Sequence, residues 1–162
     1  MLTLDRAVAA DADEIKQVLS ETWVATYAAN LSPETIALVT TQWHDPELLR
    51  DQIEKPGDYF AVAKEEGRIV ALISVAATSP EELHLTRLYV LPECQGTGIG
   101  SRLLDAALAC YPGARVIRLE VERQNAAGHA FWLRRGFVGT GTSVIEVGPD
   151  RIAVVTMERT LA

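Results

Sequence analysis

The feature that most constrains this chain is a glycine-rich segment between an apolar run and a helical stripe. The apolar run closes at Leu91-Pro92, since proline cannot donate a hydrogen bond to a sheet. The segment Gln95-Gly96-Thr97-Gly98-Ile99-Gly100 follows, and one helical face then carries Leu103, Leu104, Ala107 and Leu108. Alternate glycines let the backbone approach a ligand closely, and a helix that begins there points unpaired N–H groups at it. The sequence therefore predicts a site for a phosphate or pyrophosphate.

Two familiar phosphate-binding loops do not fit this segment. The NTPase loop needs lysine and then serine or threonine after its last glycine, where this chain has Ser101-Arg102. The dinucleotide fingerprint needs a glycine at the place of Leu103 and a βαβ unit near the start of the chain. A turn that merely needs glycine is the alternative, and three alternating glycines before an apolar helix favour ligand binding.

Composition limits the class of protein. The 162 residues are expected to form a single domain over 1–162, and no run approaches the ~20 apolar residues of a membrane span. Cys94 and Cys110 cannot make a disulfide framework, and no Cys/His cluster has zinc spacing, so we expect a cytoplasmic protein without a metal. The formal charge of −7 argues against nucleic acid as a partner.

Hydrophobic periodicity predicts an α+β fold with a mostly antiparallel sheet. The predicted strands cover residues 2–8, 59–63, 69–76, 83–90, 115–121, 137–147 and 152–157. The predicted helices begin near Asp11, Ser32, Asp45, Gly100 and Ala126. Asp11 followed by Glu14 is interpreted as a variant of the capping box. The three successive strands between 59 and 90 are expected to form an antiparallel meander.

A second informative stretch begins at Asn125 and reads Asn-Ala-Ala-Gly-His-Ala-Phe-Trp-Leu-Arg-Arg-Gly-Phe. Together with Arg87-Leu88-Tyr89-Val90 and the glycine-rich segment, it resembles the Gcn5-related N-acetyltransferases, or GNAT family. The segment matches the family pattern Q/R-x-x-G-x-G/A at Gln95, Gly98 and Gly100. The resemblance covers essentially the whole chain. It implies a three-layer fold in which helices flank a mixed, mostly antiparallel sheet of about seven strands.

The resemblance also implies that acetyl-CoA is the ligand of the loop. Its pyrophosphate would be held by the amides of Gln95, Gly96, Thr97, Gly98, Ile99, Gly100 and Ser101. The strand bearing Leu88, Tyr89 and Val90 would diverge from the strand at 115–121, and its free amides would bind the pantetheine arm and polarise the thioester carbonyl. Asn125 would hydrogen-bond that arm, and Phe131 and Trp132 would pack against it.

The family reaction is direct attack of an amine on the thioester. Many relatives place a glutamate, as general base, three residues before the position of Arg87, where this chain has His84. Histidine has a pKa near neutrality and could accept the proton. The alternative is that His84 is a strand residue without a catalytic role. Glu82 is the second candidate for the general base. Relatives also carry an acidic tyrosine at the place of Trp132, whose indole has no useful acidity. Water, or Tyr27, is then left to protonate the thiolate.

The resemblance implicates the first two helices and the final hairpin in binding the acceptor, which brings in Trp23 and Tyr27. From the residues alone, these two aromatics, with Trp43 and His44, fit ordinary packing better. The segment 21–27 resembles relatives that acetylate polyamines or other small amines. A small-molecule amine is therefore the expected acceptor, with amino acids, aminoglycosides and protein N-termini or lysines left open. A homodimer is compatible with the family.

A catalytically silent acetyl-CoA-binding sensor or regulatory module is the competing hypothesis, because Trp132 replaces the acidic tyrosine. A nucleotide-binding domain is a third hypothesis, disfavoured by the missing lysine of the NTPase loop.

Overall fold

The structure is a computed structural model that describes residues 1–161. The strands are β1 (Leu2–Arg6), β2 (Tyr59–Glu65), β3 (Arg68–Ala77), β4 (Glu82–Val90), β5 (Val116–Glu122), β6 (Val138–Val147) and β7 (Asp150–Thr160). The α-helices are α1 (Ala12–Tyr27), α2 (Pro33–Leu38), α3 (Pro46–Glu54), α4 (Ile99–Ala109) and α5 (Ala126–Arg134). A π-helical turn at Val39–Trp43 follows α2. Within residues 1–161, no helix is long and apolar enough to cross a membrane.

The strands form one mixed sheet in the order β1-β2-β3-β4-β5-β7-β6. Every neighbouring pair is antiparallel except β4 and β5. The predicted meander is confirmed as β2-β3-β4. Its first turn carries Glu66 and Gly67 at φ of 51° and 77°, as a tight hairpin with two left-handed residues requires. The α+β class and the mostly antiparallel sheet are thus confirmed.

Helices cover both faces of the sheet. The helix α4 packs on β2, β3 and β4 from one side, where Gly100 also meets Phe131 of α5. The helices α1 and α3 pack on the other side. Because both faces are covered, β3 is buried continuously from Ile69 to Val75 rather than at alternate residues.

The capping-box interpretation of Asp11 and Glu14 is wrong. Asp11 ends a 3₁₀ turn and has helical angles (φ −79°, ψ −11°), whereas a capping residue is usually extended. Its carboxylate accepts the N–H of Val8 at 3.0 Å. The Glu14 carboxylate instead accepts the N–H of Ile69 in β3 at 2.7 Å, beside an irregularity in the β2–β3 register. This contact ties α1 to the sheet.

The parallel pair β4–β5 is short, and it opens into a gap. Only Glu82, Leu83 and His84 pair with β5, opposite 116–118. The two strands then diverge, so their facing N–H and C=O groups form no ladder beyond His84. This gap in the middle of the sheet is the divergence that the family resemblance led us to expect.

A β-bulge lies where the gap opens. The β3–β4 register places Ser74 opposite Arg87 and Val75 opposite Leu85, which leaves Thr86 without a partner. The hydroxyls of Ser74 and Thr86 lie 2.6 Å apart, and the Thr86 hydroxyl also reaches the Ser74 carbonyl oxygen at 3.0 Å. Such a bulge re-aims the side chains that follow it.

The hairpin of β6 and β7 is fastened to α2 through Asp150. Its carboxylate accepts hydrogen bonds from the N–H and the hydroxyl of Ser32, both at 2.9 Å, and from the hydroxyl of Thr35 at 2.5 Å. These hydrogen bonds, that of Thr35 first, lower the pKa of the Asp150 carboxyl. Ser32 also caps α2, since its hydroxyl oxygen accepts the N–H of Thr35. The hairpin is thereby held beside the gap.

Candidate functional site

The glycine-rich segment forms a cradle of unpaired amides at the start of α4. Gly96 and Gly98 have φ of 78° and 85°, and Gly98 directly precedes the helix. A Cβ atom built on either glycine would meet nothing within 4 Å, so the space in front of the backbone is open. Within residues 1–161, no backbone acceptor pairs with the N–H groups from Gly96 to Ser101. Unpaired amides at a helix N-terminus suit a phosphate group.

Hydrogen bonds from two side chains of the segment hold the cradle in place. The Gln95 amide donates to the carbonyl oxygen of Val90 at 3.0 Å, and the Thr97 hydroxyl donates to the carbonyl oxygen of Cys94 at 2.6 Å. The first bond ties the loop to Val90 at the end of β4, and the second ties it to the 3₁₀ turn at Pro92–Cys94 that follows β4. The amides are thereby presented at the C-terminal end of β4.

Phe131 of α5 and Arg135, the residue that follows α5, pack against the cradle. A Cβ atom on Gly100 would lie 3.1 Å from Cζ of Phe131, so a larger residue there would require the Phe131 ring to shift. The guanidinium of Arg135 lies 3.7 Å from the centre of the Phe131 ring, and its Nε donates to the Ser101 hydroxyl at 2.7 Å. A fixed positive charge therefore stands next to the unpaired amides.

Asn125 and Trp132 have different surroundings and therefore different possible roles. Asn125 begins α5, and its side-chain oxygen accepts the N–H of Gly128 at 2.9 Å. Trp132 is buried, and its ring lies edge-on to Phe131 and Phe137, with centroids 4.8 Å and 5.1 Å away. Trp132 therefore packs in the core behind Phe131.

A cavity of about 550 Å³ lies at the gap, on the face that α1 and α3 cover. Its walls include Arg87 and Tyr89 from β4, Glu120 and Glu122 from β5, and Ile145 from β6. The cavity thus touches both edges of the gap, and its volume is in the usual range for a small-molecule site.

The aromatic residues of the N-terminal helices line this cavity. Trp23, Tyr27, Trp43 and His44 all contribute to its wall. Trp23 and His44 are also buried, and Tyr27 packs against Trp23, as the packing interpretation expected. Trp23 is central among them, with ring centroids 4.4 Å from Tyr27 and 6.3 Å from Trp43. Tyr89 lies in the same wall, so its side chain faces the cavity.

Sequence reasoning missed the acidic side chains of β5. Glu120 and Glu122 line the cavity. The alternation of apolar and polar residues in β5 was the available signal, because it places Arg118, Glu120 and Glu122 on one face. Arg87, Ser74 and Thr86 also line the cavity without having been singled out as site residues.

The histidine candidate for general base is paired with one of these glutamates. His84 Nε2 lies 2.6 Å from Oε2 of Glu120, and both side chains are about one-third exposed. Glu120 lines the cavity, whereas His84 and Glu82 are outside its wall. Glu82 is the first residue of β4, two residues farther from the opening of the gap.

Burial sets the charge state of the cavity wall. His44 is only 3% exposed, and burial, followed by the nearby charges of Arg87 and Lys16, lowers its pKa to about 4, so the ring is neutral at pH 7. Burial is also the main cause that raises the pKa of the Tyr27 and Tyr89 phenols. A phenol with a raised pKa is a poorer acid toward a thiolate, so Tyr27 is suited to donating a hydrogen bond as a neutral group.

The sequence model of the acetyltransferase (GNAT) domain matches residues 27–161. This chain belongs to the GNAT acetyltransferase family. Among curated relatives, it is 29% identical over 133 residues to a spermidine N(1)-acetyltransferase of Thermoplasma acidophilum, covering 78% of this chain and 82% of the relative. It is 27% identical over 140 residues to an uncharacterized N-acetyltransferase of Mycobacterium tuberculosis, covering 85% and 90%.

Solved GNAT structures share the fold. The PaiA N-acetyltransferase from Thermoplasma acidophilum, in complex with coenzyme A, superposes with a TM-score of 0.84 at 24% identity, covering 99% of both chains. The ribosomal-protein-S18-alanine N-acetyltransferase from Escherichia coli superposes with a TM-score of 0.76 at 17% identity, covering 100% of this chain and 95% of the other. The family resemblance and the GNAT-like fold predicted from sequence are therefore confirmed.

Proposed function

We propose that this GNAT chain transfers the acetyl group of acetyl-CoA to a primary amine of a small molecule by direct attack. The observation that carries the proposal is that two sites meet at one gap in the sheet. The cradle of amides lies at the C-terminal end of β4, and the cavity touches both β4 and β5 beside it. The Thermoplasma relative, named for spermidine, supports an amine acceptor.

The residues around the gap fit acetyl-CoA. The amides from Gly96 to Ser101 would hold the pyrophosphate, with Arg135 beside them. The unpaired edge of β4 at Leu88, Tyr89 and Val90 would bind the pantetheine arm. The Phe131 ring borders the cradle and would contact the arm, while Trp132 supports Phe131 from the core. Acetyl-CoA supplies an activated thioester.

Asn125 would orient the pantetheine arm from the start of α5. Its side-chain oxygen is occupied by the N–H of Gly128, so its amide N–H₂ group is the part available for a further hydrogen bond. A Cβ atom at Gly128 would lie 2.7 Å from that nitrogen, so glycine leaves the room it needs.

Glu120 is the side chain placed to take the proton from the attacking amine. An alkyl ammonium has a pKa of ~10.4, so losing its proton at neutral pH costs about 4–5 kcal/mol. Glu120 lines the cavity, and its hydrogen bond to His84 holds it in position and gives a route to pass the proton on, directly or through water. The acceptor nitrogen gains a bond to the acetyl carbon and loses a proton, while the carbon–sulfur bond breaks.

The leaving group needs no tyrosine acid at the place of Trp132. The thiolate carries away the electron pair of the carbon–sulfur bond and takes its proton from water. A thiol has a pKa of ~8.5, so its thiolate is a fair leaving group without assistance.

The variant Glu120→Gln tests this role. With an amine that the wild type acetylates, we expect the rate of CoA release to fall ~10²–10⁴-fold, the usual contribution of a general base, while acetyl-CoA affinity stays near that of the wild type. A smaller loss is expected for His84→Ala, since His84 acts through Glu120.

Glu158→Gln is the matched control. Glu158 is on β7, next to β5, and its Oε1 lies 3.3 Å from Nε of Arg118 on β5. Glu158 lies outside the cavity wall. Equal turnover in the two glutamine variants would exclude Glu120 as the base. Tight acetyl-CoA binding with no CoA release from any amine of a broad panel would instead identify a silent binding module.

A further inference from the structure

Arg87 is placed in the acceptor cavity without an acidic partner. It follows the bulge in β4, and its side chain lines the cavity. Its guanidinium donates to the side-chain oxygen of Gln52 and, at 3.5 Å, to the carbonyl oxygen of Trp43. Among residues 1–161, no carboxylate lies within 4.0 Å of it.

A guanidinium that lines a cavity and has no carboxylate partner is suited to binding an anionic ligand. Arg87 is partly buried, and this burial lowers the pKa of its guanidinium, which nevertheless stays protonated in proteins. A guanidinium has five N–H groups in a planar fork, and only two of its nitrogens are engaged here. A desolvated cation is costly unless it is paired, and a carboxylate matches the fork with two parallel hydrogen bonds.

The other charged side chains that line the cavity show which charges are left without an ion partner. Lys55 and Asp58 neutralise one another, with Nζ and Oδ2 3.7 Å apart. Glu120 is paired with His84. Glu122 has no ion partner within residues 1–161, so β5 presents excess negative charge across the gap from Arg87 on β4.

We propose that the acceptor carries a carboxylate that Arg87 binds, together with the amine that is acetylated. This inference rests on the proposed acetyltransferase function and narrows its substrate class. The amine would lie beside Glu120 and Glu122, and the carboxylate beside Arg87, so the acceptor resembles an amino acid rather than a polyamine. The aromatic walls at Trp23 and Trp43 suit an apolar side chain.

Amines matched with and without a carboxylate test this assignment. The pairs are phenylalanine and phenethylamine, methionine and 3-(methylthio)propylamine, and leucine and 3-methylbutylamine, with spermidine as the polyamine reference. CoA release gives kcat and KM for each acceptor. We expect wild-type protein to favour the carboxylate member of at least one pair by roughly 10- to 100-fold in kcat/KM, mainly through KM.

Variants separate a specificity role from a structural one. Arg87→Gln should abolish the preference while the decarboxylated amine keeps most of its kcat/KM, and Arg87→Lys should restore part of it. Arg50→Gln is the control, because it removes the same charge from the neighbouring helix, where Arg50 pairs with Asp13 outside the cavity wall. Thermal unfolding with and without acetyl-CoA checks that each variant is folded.

The outcomes distinguish this inference from the proposed function. The inference is overturned if no pair favours its carboxylate member. This result includes the case in which only spermidine is acetylated and the case in which no pair reacts. A preference that survives in Arg87→Gln overturns it too. In each case, the proposed function still stands if the protein binds acetyl-CoA and acetylates spermidine or a decarboxylated amine. If it does neither, both the proposed function and this inference are wrong.

Discussion

At the scale of single residues, the bulge at Thr86 decides which β4 side chains reach the cavity. Strict alternation along a strand would put Arg87 on the buried face with Leu83 and Leu85. The extra residue reverses the alternation, so Arg87 and Tyr89 join the face of His84. A bulge of this kind has no reliable signal in a single sequence, and for this reason Arg87 was not predicted as a site residue.

His44 offers a test of the buried cavity wall through pH. Its folded-state pKa of about 4 lies below the ordinary 6.5, so the unfolded chain binds a proton that the native state excludes. The free energy of unfolding should therefore fall as the pH drops from about 6.5 to about 4, by on the order of 3 kcal/mol if this shift acts alone.

Urea unfolding of the wild type and of His44→Gln, at several pH values between 7 and 4, measures this contribution. The wild type should lose more stability over the window than the variant, because glutamine does not titrate. Parallel curves for the two proteins would contradict the buried neutral histidine. Asp150 does not confuse the result, since its lowered carboxyl pKa places its loss of stability at more acid pH.

At the scale of elements, the cradle depends on left-handed backbone at Gly98. A side chain at φ of 85° strains the backbone by roughly 1–2 kcal/mol, and in Gly98→Val it would also project into the open space before the amides. We expect Gly98→Val to lose acetyl-CoA binding in a calorimetric titration, beyond what its lower stability explains.

Gly67→Val is the matched control for this loss. Gly67 has φ of 77°, and a Cβ atom there also meets nothing within 4 Å, but it lies in the β2–β3 hairpin and not in the glycine-rich segment. It should carry a similar backbone strain and keep its affinity for acetyl-CoA. Equal affinities in the two variants would mean that the loop at Gly98 does not hold the ligand.

Most elements were predictable because their signals are local. Glycine and proline mark the ends of α4 and α5, and alternation marks the strands of the meander. The wall of the cavity was not predictable, since it joins segments more than a hundred residues apart, such as those that carry Trp23 and Ile145. The interpretation of Asp11 as a cap failed for a related reason, because the neighbouring 3₁₀ turn and the β3 backbone compete for the two carboxylates.

At the scale of the whole molecule, the fold brings two sites together at one gap in the sheet. The cradle of amides stands next to Arg135, while the cavity carries glutamates on β5 and Arg87 on β4. The net charge of −7 therefore conceals a local arrangement in which each site presents the charge opposite to its proposed ligand. The loop motif predicted the first site from sequence, and only the folded chain reveals the charges of the second.

Thermal unfolding of the protein with acetyl-CoA, CoA or ATP tests the central claim most directly. A ligand at a hundred times its dissociation constant adds about 2.7 kcal/mol to the free energy of unfolding, which shifts the melting temperature by several degrees. We expect this shift with acetyl-CoA and with CoA but not with ATP, which lacks the pantetheine arm. No shift with acetyl-CoA, or an equal shift with ATP, would contradict the assignment of the gap as an acetyl-CoA site.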